Sequence, residues 1–91
     1  MKIYIAGKIT DDSGYKQKFA SYTRATESEG YTVMNPAVLP AGMASADYMR
    51  ICFAMIDSAD VVAFLPDWQD SPGARLEHDY CCYIGKHIEY L

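Results

Sequence analysis

The sequence contains no CxxC pair. Its three cysteines, Cys52, Cys81 and Cys82, are odd in number, and two of them are adjacent. Neighbouring cysteines are poor disulfide partners, so a disulfide framework is excluded and the thiols read as reduced, in a cytosolic compartment. No apolar run approaches the ~20 residues of a membrane-spanning helix. The opening MKIYIAGKIT is interrupted too early, by Gly7 and Lys8, to act as a signal peptide. Positive charge is sparse and scattered: eight Lys and Arg stand against twelve Asp and Glu, a net charge of −4. Electrostatic binding to a nucleic acid polymer is therefore disfavoured, while one small anion held by backbone groups is not. His78 and His87 lack partners at metal-ligand spacing and read as surface or sheet-edge residues, so neither a metal nor a redox cofactor is expected. Repeats, low-complexity stretches and linkers are also missing.

What remains is a chain of 91 residues, 51% hydrophobic and 22% charged. That length suits a single domain, residues 1–91, and the composition argues against disorder. A domain this short buries only roughly 60–65% of its unfolded surface, so a homodimer or larger homo-oligomer is expected. A last helix rich in tyrosine, with apolar residues on more than one side, points the same way.

Residues 2–6 (KIYIA) are β-branched and aromatic and run into Gly7, as a buried strand entering a turn does. From Gly14 to Glu29, Tyr15, Phe19, Tyr22 and Ala25 recur at helical spacing, and Gly30 stands where a helix-ending glycine belongs. Residues 31–34 form a short strand stopped by Asn35-Pro36. A loop of small residues, 36–45, precedes a helix near 46–58, with Ser45 or Asp47 as its cap. Residues 60–65 (DVVAFL) are apolar after Asp60, as in a strand covered on both faces. After the loop 66–73, Ser71-Pro72 reads as a cap followed by proline in the first turn of a helix reaching Ile84. Gly85 ends that helix, and 87–91 is a last strand. The order βαβαβαβ with short connections predicts an α/β fold: a three-layer, flavodoxin- or Rossmann-like parallel sheet of four strands in the order 2-1-3-4.

In such open sheets ligands bind beyond the carboxyl ends of the strands. The loops 7–13 and 66–73 and the start of the last helix lie at that edge. Ser71 and Gly73 sit where free N–H groups and the positive end of the helix dipole suit a phosphate or sugar hydroxyl. Ser71 equally serves as a plain helix cap. Glu77, between one and two turns along, either projects back to the same place or is a solvated helix residue. Asp60 either bonds backbone at the lower sheet edge or contributes an acid. Tyr4 is either core or a hydrogen-bond donor to a carboxylate. Gly7-Lys8-Ile9 forms a glycine turn that lets backbone approach a ligand, with Lys8 adding charge, but it matches neither a P-loop nor a dinucleotide fingerprint. Trp68 offers a stacking surface for a base or serves as a lid, and Asp70 flanks the same turn. No activating base adjoins Cys81 and Cys82, which read as packing residues.

These short motifs, in their order, are Tyr4-Ile5-Ala6-Gly7, Gly30-Tyr31, Asn35-Pro36, Asp47-Tyr48-Met49, Ala59-Asp60-Val61-Val62, Ser71-Pro72-Gly73-Ala74 with Glu77, and Gly85-Lys86. Together they resemble the DUF4406 proteins, often carried by phages and bacteria, within the nucleoside 2-deoxyribosyltransferase-like superfamily. The resemblance spans nearly the whole chain. It implies N-glycosidic bond cleavage or exchange on a 2′-deoxynucleoside or its 5′-monophosphate. Glu77 matches the nucleophile, Tyr4 the tyrosine that orients it, Asp60 an acid heading the preceding strand, and Gly7 the glycine turn near the ligand. Six residues before the glutamate, the superfamily carries either an acid for a free 5′-hydroxyl or a serine for a 5′-phosphate; Ser71 matches the latter. Substrate contacts are expected from Gly7, Lys8, Ile9, Trp68, Asp70, Ser71 and Gly73. Longer relatives add a fifth strand and helix and a partner-subunit segment that completes the site, whereas the fourth strand here reaches Leu91. The alternative from the same pocket is a non-catalytic protein that binds a nucleotide or nucleotide-derived signal.

Overall fold

A computed structural model describes residues 1–91. The strands β1 (Lys2–Ala6), β2 (Thr32–Met34), β3 (Val61–Phe64) and β4 (His87–Tyr90) alternate with the helices α1 (Tyr15–Glu27), α2 (Ser45–Ser58) and α3 (Pro72–Ile84). All strand pairs are parallel and the order is β2-β1-β3-β4, as the sequence predicts. The registers Tyr4 to Met34 and Tyr4 to Val62 put β1 at the centre.

Alternation along the strands builds the two faces. Tyr4, Ala6, Val62 and Phe64 point to one side and meet Cys52 and Ile56 of α2 and Cys81 of α3. Ile5 and Leu65 point to the other, where Phe19 of α1 and Ala37 close a second core. Every residue of β3 is buried, which accounts for its continuous apolar run.

The element ends follow local chemistry. Ser71 accepts a hydrogen bond from the Ala74 N–H, and Pro72 begins α3. Gly85 ends that helix in the left-handed region at φ 72°, which favours glycine. Neither Ser45 nor Asp47 caps α2. Ala44 stands at the cap without a side-chain bond, Ser45 is already helical, and Asp47 pairs with Arg50 at 2.9 Å. Asp60 falls just outside β3: its N–H donates to the Lys2 carbonyl at 2.8 Å, and its carboxylate accepts the Lys2 N–H at 2.7 Å. The small-residue loop opens with a 3-10 turn, Pro36–Val38, where the Asn35 side chain accepts the Ala37 N–H. No helix is long and apolar enough to cross a membrane.

Candidate active site

A pocket of about 200 Å³ opens at the carboxyl edge of the sheet, where β1 and β3 carry chain connections to opposite faces. Its centre is an ion-capable pair. Glu77 is 6% exposed and Tyr4 fully buried, and the Tyr4 hydroxyl donates to Glu77 Oε2. The helical spacing of Ala74, Glu77 and Cys81 explains the burial: these three form the sheet-facing stripe of α3, and the middle place is a carboxyl group. Tyr4 reaches it from β1 because residue 4 points to the face that α2 and α3 cover.

Removal from water pushes the Glu77 carboxyl up to about 7, the Tyr4 hydrogen bond pulling the other way. Burial, and then the facing Glu77 carboxylate, push the Tyr4 phenol well above its ordinary range. Tyr4 therefore remains a donor, and Glu77 gains or loses its proton near neutrality. Such a group suits proton transfer or nucleophilic attack. Cys52 also lines the pocket, and burial raises its thiol.

Around this pair the wall comes from five segments, one of them the loop after β2. Gly7 and Ile9 arrive from the loop after β1, and Ser71, Gly73 and Ala74 from the start of α3. Tyr15 comes from α1, and Tyr48 and Met49 from α2. Gly7 is required by close packing: a Cβ there would lie 2.8 Å from Leu65 Cδ1 and 3.0 Å from Leu65 Cβ. The lining contains no Lys, Arg or His, and Glu77 is its one carboxylate.

Of the residues singled out in the sequence, the structure brings Tyr4, Gly7, Ile9, Ser71, Gly73 and Glu77 together and leaves four outside. Asp60 lies at the opposite, amino-terminal edge of the sheet, on the Lys2 N–H, which with the nearby cationic groups holds its carboxyl below the usual range. It does not line the pocket that holds Glu77. Trp68 turns toward β4, stacking on His78 with centroids 4.2 Å apart and meeting Phe64 edge-on. Asp70 ends an exposed 3-10 turn, Trp68–Asp70. Lys8 contributes through its backbone, which is held by Asp67 and Lys18, rather than through a side chain in the pocket. A base does adjoin one cysteine: His78 Nδ1 lies 3.8 Å from Cys82 Sγ, one helical turn away.

The sequence reading missed the far wall: Pro36, Ala37, Leu39, Ala41 and Gly42, with Tyr48 beneath. The signal was available in topology, because this loop leaves the carboxyl end of β2 and so shares the ligand edge. Tyr48 ties it down by donating to the Pro40 carbonyl and accepting the Met43 N–H.

The fold matches that of a solved structure, the 2-desoxiribosyltransferase from Leishmania mexicana, with a TM-score of 0.75 and 17% sequence identity. The match covers 99% of this chain and 63% of that one, so the chain spans less than two thirds of that enzyme's length. No curated protein matches the sequence. The family described as a domain of unknown function, DUF4406, matches residues 1–90. With that match over nearly its full length, the chain belongs to the DUF4406 family.

Proposed function

We propose that the protein cleaves or exchanges the N-glycosidic bond of a 2′-deoxynucleoside or its 5′-monophosphate, with Glu77 as nucleophile. The observation that carries this reading is the buried Tyr4–Glu77 hydrogen bond in a pocket whose rim is the start of α3. The fold shared with a 2-desoxiribosyltransferase supports it. Ionised Glu77 attacks C1′ as the C1′–N bond breaks through an oxocarbenium-like state, and the bond's electron pair leaves with the base. Asp60 is remote, so the departing base takes its proton from solvent at the pocket mouth. Water, or a second base, then opens the sugar ester and restores the carboxylate. Tyr4 holds the attacking oxygen and favours its ionised form. The Ser71 hydroxyl and the N–H groups at the start of α3 suit the 5′ end, hydroxyl or phosphate. Exposed Leu76, Tyr83 and Ile84 on α3 support a homo-oligomer.

One observation favours a binding-only reading: no second carboxylic acid lines the pocket to protonate a leaving base. Incubation with each deoxynucleoside and each 5′-monophosphate, followed by chromatography for free base, separates the two. Release that disappears in Glu77→Ala supports catalysis. Binding of a nucleotide with no base released would overturn it.

A further inference from the structure

The loop after β1 has an anchorage that the proposed chemistry does not use. Lys18, in the first turn-and-a-half of α1, directs its ammonium to three oxygens: the Lys8 carbonyl at 2.8 Å, Asp12 Oδ2 at 2.5 Å and Asp67 Oδ2 at 2.5 Å. An ammonium has three donors, so all are engaged. The other Asp67 oxygen accepts the Lys8 N–H at 3.1 Å. Both backbone polar groups of Lys8 are thus held by side chains from two other segments, α1 and the loop after β3. Asp12 in turn accepts the Gly14 N–H at 3.0 Å, fixing the entry to α1. The site is only partly exposed, with side chains of Lys18 and Asp67 at 22% and 28%. Burial disfavours the charged ammonium, but the two carboxylates more than offset it and keep the Lys18 proton bound above its ordinary range.

Residues 7–12 form no strand or helix; besides this clasp, a backbone bond from the Asp12 N–H to the Ile9 carbonyl at 3.2 Å holds them. Gly7 and Ile9, on either side of the clasped residue, line the pocket, as do Ser71 and Gly73, just beyond Asp67 on the loop after β3. Resting on the glycosidase reading for its substrate, we propose that Lys18 and Asp67 are positioning residues that lock the β1 loop to the β3 loop and so set the spacing between the two walls that hold the sugar end of the substrate. Neither side chain lines the pocket, so each acts through the Lys8 backbone.

The test uses Lys18→Met, which keeps the aliphatic stem and removes the donors, and the near-isosteric Asp67→Asn. Amide hydrogen exchange of the free protein reads the loop without substrate, and steady-state base release reads the site. The expected result is exchange at the Lys8 amide, and at the Asp12 amide that bonds the Ile9 carbonyl, about tenfold faster in both variants with the β3 and α3 amides unchanged. KM should rise about tenfold and kcat stay within about twofold. Lys18→Arg, which keeps a cation facing both carboxylates, should restore most of the protection. Unchanged exchange at the Lys8 and Asp12 amides would overturn the clasp, as would faster exchange spread over the whole chain, or kcat falling while KM holds. If the wild-type protein releases no base, the glycosidase reading fails by itself, and the exchange result still decides whether the clasp sets the loop.

Discussion

Replacing Glu77 with glutamine should stabilise the protein at alkaline pH and leave it little changed at acid pH. Glu77 is 6% exposed and lies against Tyr4 with no cation in the pocket lining. In the unfolded chain its carboxyl titrates at the ordinary glutamate value of 4.5, and in the folded protein at about 7. Below 4.5 both states hold the proton and the group contributes nothing to pH dependence. Between 4.5 and about 7 the unfolded chain ionises first, so stability falls as pH rises, by ~1.4 kcal/mol per pH unit. Above that interval both states are ionised and the native protein carries the full penalty, about 3 kcal/mol. Against a total stability of ~5–15 kcal/mol for a typical domain this is a large fraction. Glutamine keeps an acceptor for the Tyr4 hydroxyl and has no charge to bury. Any misfit of its NH₂ group adds a pH-independent offset, so the test is the slope. Urea denaturation at pH 4, 6 and 8 should show Glu77→Gln gaining about 3 kcal/mol on the wild type across that range, a Tm difference on the order of 10 °C at pH 8. Parallel pH curves for the two proteins would show that folding does not raise the Glu77 carboxyl.

The same carboxyl sets the rate profile: kcat/KM should rise with pH through a limb near 7, because attack needs ionised Glu77. Tyr4→Phe removes the hydrogen bond that pulls the carboxyl down, so its limb should move to higher pH, which a pH–rate series would show. Ser71→Ala should cost about 1 kcal/mol in urea denaturation, since Ser71 caps α3 through the Ala74 N–H. Gly7→Ala should cost ~1–3 kcal/mol in the same assay, because the new methyl meets three Leu65 side-chain atoms within 3.0 Å. Asp60→Asn should release base at the wild-type rate, since Asp60 lies at the far edge of the sheet on the Lys2 N–H; a rate loss with the fold intact would return Asp60 to the site.

The sheet was legible because its signals are local and repeated. The apolar run of β3, the periodicity of Phe19 and Tyr22, the Ser71-Pro72 cap and Gly85 each act within a few residues. Together with short connections they leave few topologies, and the observed order is the predicted one. The pair Tyr4 and Glu77 was visible as two residues of suitable type, but their meeting is a long-range fact that depends on α3 turning its Ala74, Glu77 and Cys81 stripe to the sheet. The structure places Asp60 and Trp68 outside the pocket, each for its own reason. Sequence places Asp60 at the start of a strand, and the start of a parallel strand is the edge away from the ligand. Trp68 lies near the pocket along the chain, but the aromatic surface of His78, Phe64 and Tyr90 is the better partner for its ring. The Lys18 clasp joins residues 8, 12, 18 and 67, which no periodicity links.

In the proposed mechanism Glu77 bonds covalently to the sugar. The direct measurement is intact and peptide mass spectrometry of the protein acid-quenched during turnover of whichever deoxynucleoside or 5′-monophosphate releases base. A covalent intermediate gives one added deoxyribosyl or phosphodeoxyribosyl mass on the peptide carrying Glu77, and none in Glu77→Ala. An adduct on another residue, or base release that continues undiminished in Glu77→Ala, would contradict it.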